Sequence, residues 1–302
     1  MQDSSSKLII KELPPTGQRL PLFIVGDVHG CSKELHELIL IAKKQISQFQ
    51  LVLVGDLFTK GPDPVGVYEQ IIDHNAICIK GNHDWALWSI ILQSQKKPME
   101  SFAIHSQQTL NLIRYHKKAI FRLLAQMPHA VITKITPQNK NNKEKEYPLV
   151  IVHAGIDPTR GLLGTTERML LTARYVKFEE KDNEKRLVVV PSHSRTEFQK
   201  PHHTSSTPDR MRWHELHTGP ELIVFGHDAK QGLFRKTLPD GRPICVGIDT
   251  GCTYGNSLTG YFPEIDLAVQ VRAKRKYFDM KKNLILIKNI FEKDEIFGDD
   301  KK

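Results

Sequence analysis

The sequence predicts a single large α/β domain, and three observations lead there. Five apolar runs end in Asp, His or Asn, most with glycine alongside: Leu22-Phe-Ile-Val-Gly-Asp27, Leu51-Val-Leu-Val-Gly-Asp56, Ile77-Cys-Ile-Lys-Gly-Asn82, Leu149-Val-Ile-Val-His153 and Leu222-Ile-Val-Phe-Gly-His227. Unbroken apolar runs of this length read as parallel strands buried on both faces. The first three are separated by stretches of helical periodicity, and the 29 positions from Asp27 to Asp56 leave room for one strand-helix-strand crossover.

Taken in order, residues 1–20 form an extended lead-in, with Pro14-Pro15-Thr16-Gly17 as a turn. After the first strand, Leu35, Leu38, Ile39, Ala42 and Ile46 recur at helical spacing, and Ser32 is the expected N-cap. Asp63-Pro64 starts a second helix through Val65, Tyr68, Ile71 and Ile72, which leads to a strand at 76–80. Helices follow from Trp85 and over about 106–126, then strands at 129–135 and 149–152 around an exposed loop near 137–147.

The segment 161–176 is expected to be helical, with polar loops near 181–186 and 199–210. Short strands are expected at 244–248, 260–262, 267–271 and 284–290, followed by a charged tail over 292–302. No repeat or linker divides the chain, so residues 21–291 are expected to form one domain.

Composition narrows the class. The chain has 302 residues and a net charge of +9, which favours a polyanionic partner. Four cysteines lack zinc-ribbon spacing and need no disulfide framework in a chain this large. No apolar run approaches the roughly 20 residues that span a bilayer, so no membrane insertion is expected. The start has neither a secretory nor an Arg-rich presequence pattern, and a soluble protein of the cytoplasm or another intracellular compartment is expected.

Asp, Asn and His are oxygen and imidazole ligands suited to hard and borderline divalent metals. Asp27 and His29 lie two apart at one strand tip and are expected on the same side of it. Asp56, from the adjacent strand, is placed to bridge to a second ion completed by Asn82, His153 and His227. Trp85 and Trp88 read as core residues, His202-His203 as a solvated pair, and Arg160 and Arg195 as surface cations. Asp249 and Tyr254 are compatible with either cleft-lining or turn roles.

Gly26-Asp-Val-His-Gly30, Gly55-Asp-Leu-Phe-Thr-Lys-Gly61, Gly81-Asn-His-Asp84, His153-Ala-Gly155 and Gly226-His-Asp228 resemble, in order and spacing, the phosphoprotein-phosphatase type of metallophosphatases. Lys60, Asp84 and Gly247-Ile-Asp-Thr-Gly-Cys-Thr-Tyr-Gly255 are most similar to the ApaH-like phosphatases, relatives of symmetrical diadenosine tetraphosphate hydrolases. The resemblance covers roughly residues 21–265. It implies a four-layer calcineurin-like fold, a β-sandwich flanked by α-helices with a dinuclear metal site at the strand ends.

The resemblance also assigns Asp27 and His29 to the first metal, Asp56 to the bridge, and Asn82, His153 and His227 to the second. Manganese leads the expected pair of divalent ions, with cobalt, zinc, iron or magnesium as alternatives. Water activated between the ions would attack phosphorus in line, with His83 as general acid and Asp84 orienting it. Lys60 and Arg174 would bind substrate phosphate.

Thr59 stands where the protein phosphatases carry an aspartate that supports the acid. This departure favours phosphoanhydride substrates, because a departing phosphate, with a second pKa of about 6, needs less protonation than an alkoxide. The expected activity is metal-dependent hydrolysis of dinucleoside polyphosphates, nucleotide-capped RNA 5′ ends or inorganic polyphosphate, with no obligate protein partner. A protein serine/threonine phosphatase and a non-catalytic phosphate-binding protein on the same fold are the alternatives.

Overall fold

A computed structural model of the chain describes residues 8–94, 102–104, 106–137, 146–181, 184–190, 210–278 and 285–287. Arg195, His202, His203, the tail over 292–302 and most of the loops near 137–147 and 199–210 lie outside the described residues.

Strand β1 (Ile10–Glu12) is followed by β2 (Leu22–Val25), helix α1 (Ser32–Gln45), β3 (Gln50–Leu53), α2 (Pro64–Asp73), β4 (Ile77–Cys78) and α3 (Asn82–Ser94). Next come β5 (Phe102–Ile104), α4 (Gln107–Gln126), β6 (Ala130–Ile135), β7 (Tyr147–Val152), α5 (Glu167–Thr172), β8 (Tyr175–Lys181) and β9 (Glu184–Val190). The chain continues through β10 (Met211–Arg212), β11 (Leu222–Phe225), β12 (Phe234–Thr237), β13 (Pro243–Gly247), β14 (Ser257–Phe262), β15 (Leu267–Arg272) and β16 (Ile285–Ile287).

Two sheets form the centre, one ordered β15-β14-β2-β3-β4 and the other β1-β6-β7-β11-β13-β12. Alternation along the strands explains the unbroken apolar runs. Leu22 and Ile24 of β2 point between the sheets, where they meet Leu149, Ile151, Leu222 and Val224. Phe23 and Val25 point outward into a second core with Leu35, Leu38, Leu112 and Ile113 of α1 and α4. On the opposite flank Val150, Val152, Ile223 and Phe225 pack against Leu170 of α5 and against Trp213. Helix, sheet, sheet and helix are thus stacked in four layers, as expected.

Within the first sheet β2, β3 and β4 run parallel. Within the second, β7, β11 and β13 run parallel. The carboxyl ends of each parallel set lie along one edge, and crevices at such ends are where ligands bind in open α/β sheets.

Several local expectations change. The N-cap of α1 is Cys31 without a side-chain bond; Ser32 begins the helix, and its hydroxyl donates to Asp63 Oδ2 at 2.5 Å. Ser32 lies one position inside the helix rather than at the capping position, and Asp63 itself caps α2 by accepting from the Gly66 N–H. The expected helix over 161–176 breaks into a 3₁₀ turn at Leu162–Gly164 and the short α5. Thr165 donates back to the Gly161 carbonyl and Thr166 caps α5, local bonds that compete with a continuous helix.

Residues 181 and 184–186, expected in a loop, lie instead in the paired strands of a β8–β9 ribbon. Its polarity hid it: the register sets Glu179 opposite Arg186, and opposed charges stabilise an exposed ribbon. Trp85 is 40% exposed and not core, while Trp88 packs partly buried with the Lys80 ammonium 5.4 Å from its ring centre. Part of the lead-in is strand β1, parallel to β6. No described helix is long and apolar enough to cross a membrane.

Candidate metal centre

The strand ends deliver their side chains through strained turns. Among the described residues six non-glycine residues have positive φ, and four of them are His29 (47°), Asp56 (54°), Lys60 (67°) and His227 (68°). Left-handed backbone in such residues costs on the order of 1–3 kcal/mol each and persists where the surroundings hold it, often at functional sites. Glycine neighbours are required by close approach. A Cβ at Gly81 would lie 2.3 Å from Asp56 Oδ1, and one at Gly226 would lie 2.2 Å from Asp27 Oδ1.

Asp56 is the hub. Its Oδ2 lies 3.4 Å from His29 Nε2 and 4.0 Å from His83 Nε2, while Oδ1 lies 3.6 Å from His153 Nε2. His153 Nε2 is 3.0 Å from Asn82 Oδ1 and 3.2 Å from His227 Nδ1. Asp27 is buried alongside, its Oδ1 accepting the His227 backbone N–H at 3.0 Å.

The bonds on the far side of each ring fix which nitrogen carries a lone pair. His153 Nδ1 faces the Val54 carbonyl at 2.9 Å, which can only accept, so Nδ1 carries the proton and Nε2 is bare. Burial lowers the pKa of His29, His153 and His227, keeping the rings neutral. His29 Nε2 takes the Lys60 ammonium at 2.9 Å, so its Nδ1–H donates to Thr59 Oγ1 at 3.0 Å.

The bare His153 Nε2 therefore faces Asn82 Oδ1, His227 Nδ1 and Asp56 Oδ1 together. Their spacing of 3.0–3.6 Å matches neighbouring ligands around one ion held at about 2.0–2.2 Å. The donor set fits divalent metal, with Asp56 offering one oxygen to each side.

The carboxylates point the same way. Burial, with Asp249 and Asp56 adding to it, raises Asp27 well above the usual range. Burial also raises Asp249 to about 6. Burial acts upward on Asp56 too, and with the rings neutral the Lys60 ammonium is the charge that opposes it. Three buried carboxylates around one ammonium call for further positive charge.

All six expected ligands and His83 meet at this edge, but not always as expected. Strand β2 stops at Val25, so Asp27 and His29 do not share a strand face; the left-handed turn at His29 swings its ring toward Asp56. Asp84 faces the Asp56 turn. Its carboxylate accepts the backbone N–H groups of Asp56 (2.6 Å), Leu57 (3.0 Å) and Gly81 (3.0 Å) and so braces the bridging residue. Burial and the charge of Asp56 raise it to about 7.

Arg174, between α5 and β8, donates from Nε and Nη2 to the His227 carbonyl at 3.1 and 2.6 Å, steadying that strained turn. Arg160 is exposed. Sequence reasoning missed Thr59 as the partner of His29, and it missed Arg212, which pairs with Asp228 beside His227 and donates to Gln231 Oε1 at 2.7 Å. The Gly-His-Asp228 signature was a clue to the carboxylate; nothing pointed to its arginine.

The family model of calcineurin-like phosphoesterases matches residues 20–231. The chain belongs to that family. Relatives include an asymmetrical bis(5′-nucleosyl)-tetraphosphatase, PrpE, of Oceanobacillus iheyensis, 28% identical over 278 residues covering 85% of this chain and 94% of that protein. Another is a symmetrical bis(5′-nucleosyl)-tetraphosphatase of Aeromonas salmonicida, 27% identical over 283 residues covering 81% of this chain and 95% of that protein. A crystal structure provisionally assigned as a diadenosine tetraphosphatase superposes with a TM-score of 0.64 at 26% identity, covering 88% of this chain and 98% of that one.

Proposed function

We propose that this protein is a divalent-metal-dependent hydrolase of phosphoanhydride bonds, with dinucleoside polyphosphates as its first substrate class. One observation carries the reading: the two oxygens of Asp56 face separate nitrogen sets, His29 on one side and His153 with His227 on the other. Names of both symmetrical and asymmetrical tetraphosphatases among the relatives support the substrate class. The charge of +9 suits nucleotide-capped RNA 5′ ends and inorganic polyphosphate as further substrates.

In this reading Asp27, His29 and Asp56 hold one ion, and Asp56, Asn82, His153 and His227 hold the other, manganese being first among the candidates. When bound, such ions polarise phosphoryl oxygens and acidify water. The protein supplies the rest. Thr59 and the Val54 carbonyl fix the tautomers of His29 and His153, and Asp84 holds the Asp56 turn in place.

His83, with its side chain 20% exposed, is the most open imidazole around Asp56 and can exchange a proton with solvent, as a general acid must. Its backbone N–H donates to Asp56 Oδ1 at 2.9 Å, which ties its position to the bridge. Lys60 and Arg174 contribute positive charge for the phosphates, Lys60 as a point charge rather than a bidentate fork.

A panel of diadenosine tetraphosphate, capped RNA, polyphosphate and a phosphoserine peptide, assayed under manganese, cobalt, zinc and magnesium, tests the proposal. Faster cleavage of a P–O–P substrate, abolished by chelation, is expected. Preference for the phosphoserine peptide, or activity that survives chelation, would refute it.

A further inference from the structure

We infer that Tyr254 is the platform on which a nucleobase of the substrate stacks, so that nucleotides, rather than bare polyphosphate, are what the site is shaped for. The inference rests on the phosphoanhydride reading above and names the part of the substrate that it leaves open.

Tyr254 ends a 3₁₀ turn, Cys252–Tyr254, set between two left-handed glycines, Gly251 (φ 70°) and Gly255 (φ 94°). The chain that follows β15 braces this turn. The backbone N–H groups of Tyr277 and Phe278 both donate to the Thr253 carbonyl at 3.0 Å. Gly255 is pressed so closely on that segment that a Cβ would lie 3.2 Å from Lys276 Cα. Phe278, 3% exposed, meets the Tyr254 ring edge-on at 6.2 Å and 67°.

The ring is therefore held before any ligand arrives, yet Tyr254 remains only partly buried. An aromatic group fixed in this way loses little freedom when a flat partner lands on it.

Its position gives the platform a purpose. The Lys60 ammonium lies 5.6 Å from the centre of the Tyr254 ring and 6.0 Å from that of Phe278, and the same ammonium touches His29 Nε2 at 2.9 Å. One lysine thus connects the phosphate-handling centre to an aromatic surface. A chain of phosphates leaving the centre past Lys60 would bring an attached nucleoside to that ring. Inorganic polyphosphate has no flat apolar group to place there, whereas every base has a π-face, and stacking on an aromatic side chain strengthens binding by roughly 5- to 150-fold per base.

The test compares Tyr254→Leu, Tyr254→Phe and Tyr254→Trp. The KM for diadenosine tetraphosphate divided by the KM for inorganic tetrapolyphosphate should rise by roughly 5- to 150-fold in Tyr254→Leu, with kcat for the dinucleotide little changed, and return in Phe and Trp. Capped RNA should follow the dinucleotide. Calorimetry of ADP against pyrophosphate gives a readout independent of turnover: Tyr254→Leu should weaken ADP alone. A KM ratio that stays constant, or equal weakening of ADP and pyrophosphate, would overturn the inference. Failure of the wild-type protein to cleave any P–O–P bond would refute the activity instead, and the ADP measurement would still decide the role of Tyr254.

Discussion

Replacing Asp84 separates a brace from an acid-tuning group. The carboxylate accepts three backbone N–H bonds, from Asp56, Leu57 and Gly81, in a site where Asp84 is 1% exposed. Asp84→Ala strands all three donors, at about 1–3 kcal/mol each before relaxation. With water entering the gap, a net loss of roughly 3–6 kcal/mol is expected, a large share of the 5–15 kcal/mol typical of a domain. Asp84→Asn keeps one oxygen but turns an –NH₂ toward a donor, so about 1–3 kcal/mol is expected.

Urea unfolding of the chelated protein measures these losses, and metal content after reloading and dialysis measures the effect on the centre. The account predicts that both variants are destabilised in that order and retain less metal, with turnover falling in proportion to metal retained. Full stability and full metal content combined with collapsed turnover would refute the brace and assign Asp84 to His83.

Three further outcomes follow from the geometry. His83→Asn should keep its metal, measured by elemental analysis, while kcat falls by about 10²–10⁴, and an unchanged rate would remove His83 from the chemistry. Thr59→Val removes the bond that fixes the His29 ring and should weaken metal affinity by about 10–100-fold in a competition titration. His214 is pushed down to about 4 by burial, with Arg212 and Lys236 adding to it. Unfolding lets it return to about 6.5, so stability is intact above pH 6.5 and falls as the pH drops toward 4, by about 3 kcal/mol from this residue. Chelated His214→Asn should show a shallower loss over that window by urea unfolding.

The strand ends were legible because period and composition coincide there. Alternate residues of Leu22–Val25 serve two different cores, which forces the whole run to be apolar. Asp56 and His153 were readable because five such runs in one chain close on Asp, Asn or His, where a single one would have meant little. What stayed hidden depends on partners distant in sequence. Thr59 bonding His29 follows from the left-handed turns at His29 and Asp56, which no spacing rule anticipates. Asp84 looked toward His83 because the two are adjacent, yet the start of α3 aims its carboxylate back at the Asp56 turn. The β8–β9 ribbon was concealed by its charges, and the pairing of Arg212 with Asp228 by their separation of 16 positions.

Anomalous diffraction from a manganese-loaded crystal tests the centre most directly. The account predicts two peaks, one on each side of the Asp56 carboxylate, with His29 beside one and His153, His227 and Asn82 around the other. A single peak, or metal scattered over the surface with none at Asp56, would contradict it.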